Sequence, residues 1–246
     1  MIQNTQRGVV YVATDGKHLR AAIRSAQSVR NCCPDLRIHL FGAAKPEKFM
    51  AGLPSPFNSR AEIENPHPRS KVDCLFRSPY EETLYLDSDT EVVADIREVF
   101  LLLEKFDMAL AHHAIRNTWQ SSWKRELPPS FPELNSGVML YRSHPGVIGL
   151  LKAWQKAYHE AGFFPDQITL RELLWETDLK VAVLPPEYNT LMLKYPLVWR
   201  KGEAIPKIRH FRKYLEGRLW LLCGLSRAVR RLRERMTGKA RFLVRE

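Results

Sequence analysis

Residues 82–89 read Glu-Thr-Leu-Tyr-Leu-Asp-Ser-Asp, a short β-rich run that ends in two carboxylates separated by a serine. The apolar part of this run, residues 83–86, predicts a buried central strand. Because side chains two residues apart on an extended segment point to the same side, Asp87 and Asp89 can converge on one point. Adjacent carboxylates repel unless a cation or a proton lies between them, and a hard divalent ion is the simplest occupant.

The Asp-x-Asp pattern by itself also has a plain structural interpretation. Aspartate is common at strand ends, where its side chain forms turns, so the motif alone favours an Asx-turn over a metal site. An ion at the carboxyl end of a strand in an open α/β sheet would nevertheless lie where such folds bind nucleotides. The choice between the two interpretations depends on the rest of the chain.

Composition indicates one large domain with a basic appendage. The chain has 246 residues, of which 45% are apolar, and a net charge of +11. Residues 1–200 contain 24 Lys and Arg against 23 Asp and Glu, whereas residues 201–246 contain 14 against 4. The basicity therefore belongs to the C-terminal segment and does not indicate that the main domain binds nucleic acid. The cysteine spacing, the polar N-terminus and the absence of a long apolar run predict no cysteine-based zinc site, signal peptide or transmembrane helix.

The order of the predicted elements is that of an α/β fold. A β-branched run at 8–14, a helical stripe at 19–29 and an alternating run at 36–41 form a βαβ opening, which predicts a right-handed, parallel, Rossmann-like unit. Ser70 is a candidate N-cap for the next helix. The remaining predicted elements are strands at 83–86, 107–111, 134–142, 180–184 and 205–211 and helices at 70–77, 95–105, 145–161 and 166–175.

Polar residues fall at the ends of these strands and at the start of one helix. The carboxyl ends of parallel strands share one edge of a sheet, so the side chains there could line a single cleft. Taken alone, His210 fits a hydrogen-bonded sheet histidine better than a ligand, and Lys71 fits a solvated helix residue better than a binding residue. The residues at these ends are Thr14, Asp15, Asp87, Asp89, Asn135, Ser136, Asp166, Gln167 and His210.

The tail, residues 214–246, differs in character from the rest of the chain. Its leucines follow helical spacing and its arginines occupy the other faces, which predicts a basic amphipathic helix. Such a helix could pack its apolar stripe onto the domain, or it could bind an anionic membrane surface. The sequence leaves both interpretations open.

Taken in order, these motifs resemble the glycosyltransferases of the GT-A fold, in particular the retaining group that includes glycogenin and the bacterial lipopolysaccharide galactosyltransferases. The resemblance covers about residues 8–213. It implies a domain 1–213, with a mixed, mainly parallel sheet flanked by helices, followed by the basic tail 214–246. The segments that carry it are Thr14-Asp15 with His18, Ser70-Lys71, 84–90, 95–100, 135–138, Asp166-Gln167 and 208–211.

The resemblance implies a metal and a catalytic pair. Asp87, Asp89 and His210 would bind a divalent ion, and a histidine ligand favours Mn²⁺ over Mg²⁺, which prefers oxygen. Asp166 and Gln167 would lie beside the anomeric carbon of the donor sugar. The family implies retention of configuration, and an inverting outcome stays open.

The resemblance also implies a binding site for a nucleotide sugar, expected to be a UDP-sugar. Lys213 or Arg212 would replace the phosphate-binding lysine, because Arg212-Lys213-Tyr214 stands where the family has Gly-x-x-Lys-Pro-Trp, although neither residue has the family's spacing. The full set of residues implied to bind the nucleotide sugar is Thr14, Asp15, His18, Lys71, Asp87, Ser88, Asn135, Ser136 and Lys213. The acceptor would be a saccharide or a glycolipid. Trp119 and Trp123 in the long segment 113–133 could stack on it or fill the core beneath the loop.

Two other classes of protein predict different sequence features. A nucleotidyltransferase on a related sheet should carry a glycine-rich phosphate loop after the first strand, but residues 14–17 hold one glycine. A nucleic-acid-binding protein should carry stacking aromatics among its basic residues, yet Trp220 is the only aromatic between Tyr214 and Phe242. We therefore expect no nucleic-acid partner. The expected location is the cytoplasm, and if the tail binds anionic lipid, the protein would be peripheral at the inner face of the membrane.

Overall fold

One seven-stranded sheet organises the protein, whose computed structural model describes residues 7–43, 54–113, 122–162, 165–191, 199 and 203–210. Across the sheet the strand order is β3-β2-β1-β4-β7-β6-β8, while β5 and β9 form a separate antiparallel ribbon. In chain order the strands are β1 (Arg7–Ala13), β2 (Arg37–Gly42), β3 (Ser59–Glu62), β4 (Glu82–Leu86), β5 (Thr90–Val92), β6 (Met108–His112), β7 (Leu134–Arg142), β8 (Val181–Leu184) and β9 (Ile208–His210).

The sheet is mixed and mainly parallel, as predicted. The parallel pairs are β1 with β2, β1 with β4, β2 with β3 and β6 with β8. Among the described strands of this sheet, β7 alone runs against its neighbours, pairing antiparallel with β4 and β6. The first strand, helix and second strand thus form the parallel βαβ unit that the sequence predicts.

Four α-helices and three 3-10 helices are described. The α-helices are α1 (Gly16–Cys32), α2 (Lys71–Cys74), α3 (Pro145–Ala161) and α4 (Gln167–Glu176), and the 3-10 helices are Leu75–Arg77, Arg97–Glu104 and Pro186–Tyr188. The predicted helix at 95–105 is therefore a 3-10 helix, and the one at 70–77 is a single α-turn followed by a 3-10 turn. Ser70 occupies the position before α2 but does not cap it, because its hydroxyl donates to the His67 carbonyl and accepts from the His67 amide.

Helices cover both faces of the sheet. Along β1, Val9 and Tyr11 pack into the layer beneath α1, whereas Val10 and Val12 pack into the opposite layer with Trp154 of α3. A strand buried on both faces needs apolar side chains at every position, which explains the unbroken run at 8–14. The result is a three-layer α/β architecture whose two cores meet at the sheet.

Several predictions fall on parts of the chain outside the described residues. These include the tail 214–246, Lys213 and Trp119. Within the described part of the chain, no helix has the length and apolar character needed to cross a membrane.

Candidate active site

The turn after β4 brings the two aspartates to the sheet edge. The amide of Asp87 donates to the Gly137 carbonyl on β7 at 2.8 Å, which continues the β4–β7 pairing to the end of the strand. The turn is closed by Thr90, whose amide and hydroxyl donate to the Asp87 carbonyl at 3.2 and 2.8 Å. Since backbone and hydroxyl groups close this turn, the Asp87 carboxylate is left to other partners.

A buried chain of hydroxyl groups supports the same turn. Tyr11 on β1, Ser25 on α1 and Thr90 on β5 are linked by contacts of 2.8 Å each. Because the Thr90 hydroxyl donates to the Asp87 carbonyl, the Ser25 hydroxyl donates to Thr90 and the Tyr11 hydroxyl donates to Ser25. Three elements therefore fix the turn that carries the aspartates.

The ribbon of β5 and β9 places His210 beside the two aspartates. Thr90 pairs with His210 in the register of the ribbon. The Nε2 atom of His210 lies 3.1 Å from Asp89 Oδ1 and 3.7 Å from Asp87 Oδ2. One atom from each of the three side chains thus faces a common point, as expected for metal ligands.

Asn189 determines which nitrogen of His210 faces that point. The Gly137 amide donates to Asn135 Oδ1 at 2.9 Å, and Asn189 Nδ2 donates to the same oxygen at 2.9 Å. Asn189 therefore presents its Oδ1 to His210 Nδ1, 2.8 Å away, which requires a proton on Nδ1. In the neutral ring, Nε2 then carries the lone pair that a metal ligand needs.

The two oxygens of Asp87 have different partners. Oδ1 accepts from the Tyr85 hydroxyl at 2.5 Å and from the Lys71 ammonium at 3.3 Å. Oδ2 is the atom directed to His210. The carboxylate is thus held by one oxygen and presents the other, an arrangement typical of an oriented metal ligand.

Gly137 is required by the crowding of this cluster. A Cβ atom at this position would lie 2.2 Å from His210 Cε1, 2.7 Å from Asp87 Oδ2 and 2.9 Å from Asn135 Oδ1. Any side chain here would displace two of the three candidate ligands. The Asn-Ser-Gly segment therefore lets the backbone of β7 approach the cluster closely.

The charges of the cluster match a cation site. Burial disfavours the imidazolium, but the charges of Asp89 and Asp87 outweigh it and raise the pKa of His210 above its usual value. Burial likewise raises the pKa of Asp89, but the charge and hydrogen bond of His210 bring it below its usual value. A divalent ion can take the place of the Nε2 proton, so two carboxylates and one imidazole fit Mn²⁺ and, less well, Mg²⁺.

A second buried network lies beside the cluster. The Lys71 side chain is only 4% exposed, and its ammonium is 3.2 Å from the Ser136 carbonyl and 3.4 Å from Asp166 Oδ2. Asp166 is fully buried, receives the Ser136 hydroxyl at 2.6 Å and lies 3.3 Å from Arg69 Nε. Burial raises the pKa of Asp166, but Lys71 and Arg69 lower it below the usual value, so the carboxylate is ionised.

A cleft opens over these groups. Most of the predicted binding residues line it, whereas Asn135, Ser136 and Asp166 lie buried beside it. Asp15 is exposed and caps α1, accepting the His18 amide at 2.8 Å. Gln167 is half-buried at the first position of α4. The side chains lining the cleft are Val12, Thr14, His18, Pro68, Arg69, Ser70, Lys71, Tyr85, Asp87, Ser88 and Asp89.

Three residues of the site were not singled out from the sequence. Tyr85 lies on β4, two positions before Asp87. Side chains two residues apart on an extended segment point to the same side, so this spacing could have identified Tyr85. Arg69 immediately precedes the segment Ser70-Lys71, which the sequence assigned to the site. Asn189 follows a 3-10 turn, and nothing local in the sequence connects it with His210.

Part of the long segment before β7 is fastened to α4. Glu172 accepts from the backbone amides of Trp123 and Lys124 at 2.5 and 3.0 Å. Arg171 donates to the carbonyls of Phe131 and Pro128 at 2.8 and 3.0 Å. This segment is therefore held on the helix whose first residue is Gln167.

The sequence matches no protein-family model and no curated protein, but solved structures share its fold. The glycosyltransferase GlyE of Streptococcus pneumoniae TIGR4 is 20% identical with a TM-score of 0.60, over 84% of this chain and 54% of GlyE. The galactosyltransferase LgtC, solved with donor and acceptor sugar analogues, is 16% identical with a TM-score of 0.55, over 83% of this chain and 87% of LgtC. Mouse xyloside xylosyltransferase 1 is 15% identical with a TM-score of 0.56, over 83% and 97%.

The fold is therefore that of the GT-A glycosyltransferases, and it resembles the group that includes LgtC, as the sequence motifs predict. The chain spans about half the length of GlyE. At these levels of identity the likeness establishes the fold, and the chemistry depends on the residues of the site.

Proposed function

We propose that this protein is a metal-dependent glycosyltransferase that moves a sugar from a nucleotide-diphosphate sugar to a saccharide or glycolipid acceptor. The observation that carries the proposal is the convergence of Asp87, Asp89 and His210 Nε2 at the edge of a cleft that also contains the Lys71 ammonium. Cations and metal ligands beside one cleft suit a diphosphate leaving group.

Asp87, Asp89 and His210 would hold Mn²⁺, or Mg²⁺, with diphosphate oxygens completing the coordination. When bound, the ion would offset the negative charge that develops on the leaving diphosphate. Tyr85 and Asn189 would keep two of the ligands oriented through their hydrogen bonds. Because Tyr85 and Lys71 share one oxygen of Asp87, the other oxygen stays directed to the ion.

The protein's own cations would share the charge of the diphosphate. Lys71 lies in the wall of the cleft, 3.3 Å from Asp87, and Arg69 lines the same wall. We propose that Lys213 adds a further cation. Thr14, Asp15, His18 and Ser88 would contact the nucleoside end of the donor. We propose a UDP-sugar as the donor.

The sugar of the donor would lie towards Asp166 and Gln167. Asp166 is fully buried and contacts Lys71 and Arg69, both of which line the cleft, so we assign it the fixing of the Lys71 ammonium and of a sugar hydroxyl. Gln167 at the start of α4 would face the anomeric carbon, and we expect retention of configuration. Asn135 would contact the sugar through its amide nitrogen, since two donors already occupy its oxygen.

We assign catalysis to a domain 1–213 and membrane contact to the basic tail 214–246. The loop held by Glu172 would lie beside the acceptor, with Trp123 as its aromatic surface. LgtC was solved with donor and acceptor sugar analogues, which agrees with a two-substrate site on this fold. A glycolipid acceptor in an anionic membrane, reached from the cytoplasmic side, would fit a catalytic domain that is followed by a membrane-binding tail.

Asp89→Asn tests the site directly. The variant keeps the shape of the side chain but removes the charge that binds the ion, so Mn²⁺-dependent release of UDP from UDP-sugars should fall more than about 100-fold. Asp178→Asn, at an exposed aspartate, is the matched control and should keep full activity. A thermal-shift screen of UDP-, GDP- and ADP-sugars with and without Mn²⁺ identifies the donor by its stabilisation. Full activity of the Asp89 variant would contradict the site, and no shift with any donor would contradict the proposed activity.

A further inference from the structure

A second group of potential metal ligands lies on the side of α2 that faces α3. It consists of Asp73 on α2, His159 on α3 and His67 in the segment just before α2. Lys71, two residues before Asp73, is directed to the cleft, and residues two apart on a helix do not share a face. The cluster is therefore separate from the site of Asp87, Asp89 and His210.

Both histidines present the same ring nitrogen to one carboxylate. His159 Nε2 lies 2.7 Å from Asp73 Oδ1, and His67 Nε2 makes a close contact with Asp73 Oδ2. One ligand atom from each of the three side chains lies within 4.8 Å of the other two. Gln155, one turn before His159 on α3, donates to Asp73 Oδ1 at 2.9 Å. The three side chains are thus already gathered around a single point.

Packing holds the rings in place. The His67 ring stacks on Tyr158 at a centroid distance of 5.9 Å and an interplanar angle of 14°. It also meets the His159 ring edge-on at 5.4 Å. The side chains of His67, Asp73 and His159 are 26%, 24% and 50% exposed, so an ion can reach the cluster from solvent.

We propose that His67, Asp73 and His159 form a second metal site, specific for a borderline transition ion such as Zn²⁺. Two imidazoles and one carboxylate are three ligands of the kind that Zn²⁺ takes, with a fourth position open to water. The Asp87 cluster has the opposite balance, two carboxylates and one imidazole, which suits a harder ion. The two sites should therefore select different metals.

The hydrogen bonds of the two histidine rings would rearrange when the ion binds. Each imidazole binds the ion through the Nε2 lone pair as a neutral ligand, and its proton moves to Nδ1. In the absence of the ion, His67 Nδ1 accepts the Arg69 amide at 3.2 Å, and this hydrogen bond is lost when a proton occupies Nδ1. Zinc would thereby exchange the hydrogen bonds of both histidines to Asp73, and the contact of His67 with the Arg69 amide, for three metal–ligand bonds.

The site would act as a clip rather than as a catalyst. Pro68, Arg69, Ser70 and Lys71 line the cleft, and the cluster ties both ends of this stretch to α3. An ion bound there would fix the wall of the cleft that carries Lys71. The inference does not depend on the proposed transferase activity, since it rests on a separate set of residues.

The test uses the full chain with Asp89→Asn as the background, so that the first site is weakened. Zinc binding is measured by equilibrium dialysis and by the cobalt absorption spectrum, which reports tetrahedral ligation. The background protein should bind about one equivalent of Zn²⁺ tightly and gain melting temperature with zinc. Adding His159→Gln, which keeps a hydrogen-bond donor beside Asp73, should abolish both effects, and His67→Gln should do the same.

His144→Gln is the matched control. His144 Nε2 also contacts an aspartate, Asp107 Oδ1 at 3.1 Å, but no second histidine completes that pair among the described residues. Zinc binding should be unchanged in this variant. Tight zinc binding that survives both His67→Gln and His159→Gln, or its absence in the background protein, would overturn the proposal. Catalytic activity is not used as a readout, so failure here is distinct from failure of the proposed function.

Discussion

The Nε2 atom of His210 faces Asp89 because the other nitrogen of the ring is held by Asn189. Asn189 is in turn held by Asn135, whose oxygen also receives the Gly137 amide. This chain is buried, so each of its groups depends on the next for a partner. A buried residue that is not itself a candidate ligand thus determines which nitrogen of His210 faces the aspartates.

Replacing Asn189 tests this relay. Asn189→Leu keeps the number and branching of the side-chain heavy atoms but removes both hydrogen bonds, so His210 loses its fixed tautomer, and Mn²⁺ affinity should fall about 10- to 100-fold. Isothermal titration with Mn²⁺ measures the change. Asn31→Leu, near the exposed end of α1, is the control and should bind Mn²⁺ like the wild type. Affinity within twofold of wild type in a folded Asn189→Leu protein would contradict the role of the relay.

At the scale of elements, the pairing of the three-residue strands β5 and β9 places His210 beside Asp87 and Asp89. Glu91 on β5 pairs with Arg209 on β9, and the two residues are 118 positions apart in the chain. Their side chains also form an ion pair at 3.1 Å. The sequence predicts β9 approximately, but it does not predict β5. A strand this short has too few residues to show alternation, so its partner and not its own pattern determines it.

Strand β2 carries a histidine that makes stability depend on pH. His39 Nδ1 bonds to Ser59 on β3 at 2.7 Å, while its buried Nε2 has no hydrogen-bond partner. Burial lowers the pKa of His39 from 6.5 to about 4. As the pH falls, His39 is therefore protonated near pH 6.5 in the unfolded chain but only near pH 4 in the folded protein.

Stability should thus be greatest above pH 6.5 and decrease between pH 6.5 and 4, with His39 contributing on the order of 3 kcal/mol to the decrease. His39→Gln cannot take up this proton. Urea unfolding of both proteins at several pH values between 7.5 and 4 measures the difference in their free energies of unfolding. Relative to the wild type, the free energy of unfolding of His39→Gln should increase as the pH falls from 6.5 to 4. Parallel curves for the two proteins would show that His39 does not control the dependence.

At the scale of the whole molecule, the basic charge is concentrated in a segment that follows the GT-A fold. Residues 1–200 are nearly balanced in charge, whereas residues 201–246 carry 14 basic and 4 acidic residues. Anionic lipid attracts such a segment by about 1 kcal/mol for each basic residue near the surface. Membrane attachment and catalysis should therefore be separable.

Truncation after Lys213 tests this separation. The full chain should sediment with vesicles that contain anionic lipid, and less so at high salt, because screening weakens surface charges. The truncated protein should stay in the supernatant and still bind the donor nucleotide. Vesicles of neutral lipid are the control. Equal sedimentation of the two proteins would contradict the membrane role, and a large loss of melting temperature on truncation would support a tail packed on the domain.

The sequence by itself determined the features that local pattern encodes. The apolar run of β1, the amphipathic stripe of α3 and the nine-residue β7 have nearly the same bounds in the prediction and in the structure. The order of the motifs resembles that of the GT-A glycosyltransferases, and this resemblance predicted the class of fold. Burial and periodicity act within one element, so a single stretch of chain shows them.

Only the tertiary structure decided which side chains meet. It separated the two oxygens of Asp87, enclosed Asp166 between Lys71 and Arg69, and placed Asn189 behind His210. It also gathered His67 and His159 around Asp73, a cluster that the sequence does not reveal. These contacts join residues from distant parts of the chain, and their geometry depends on how helices and strands pack, which no local pattern specifies.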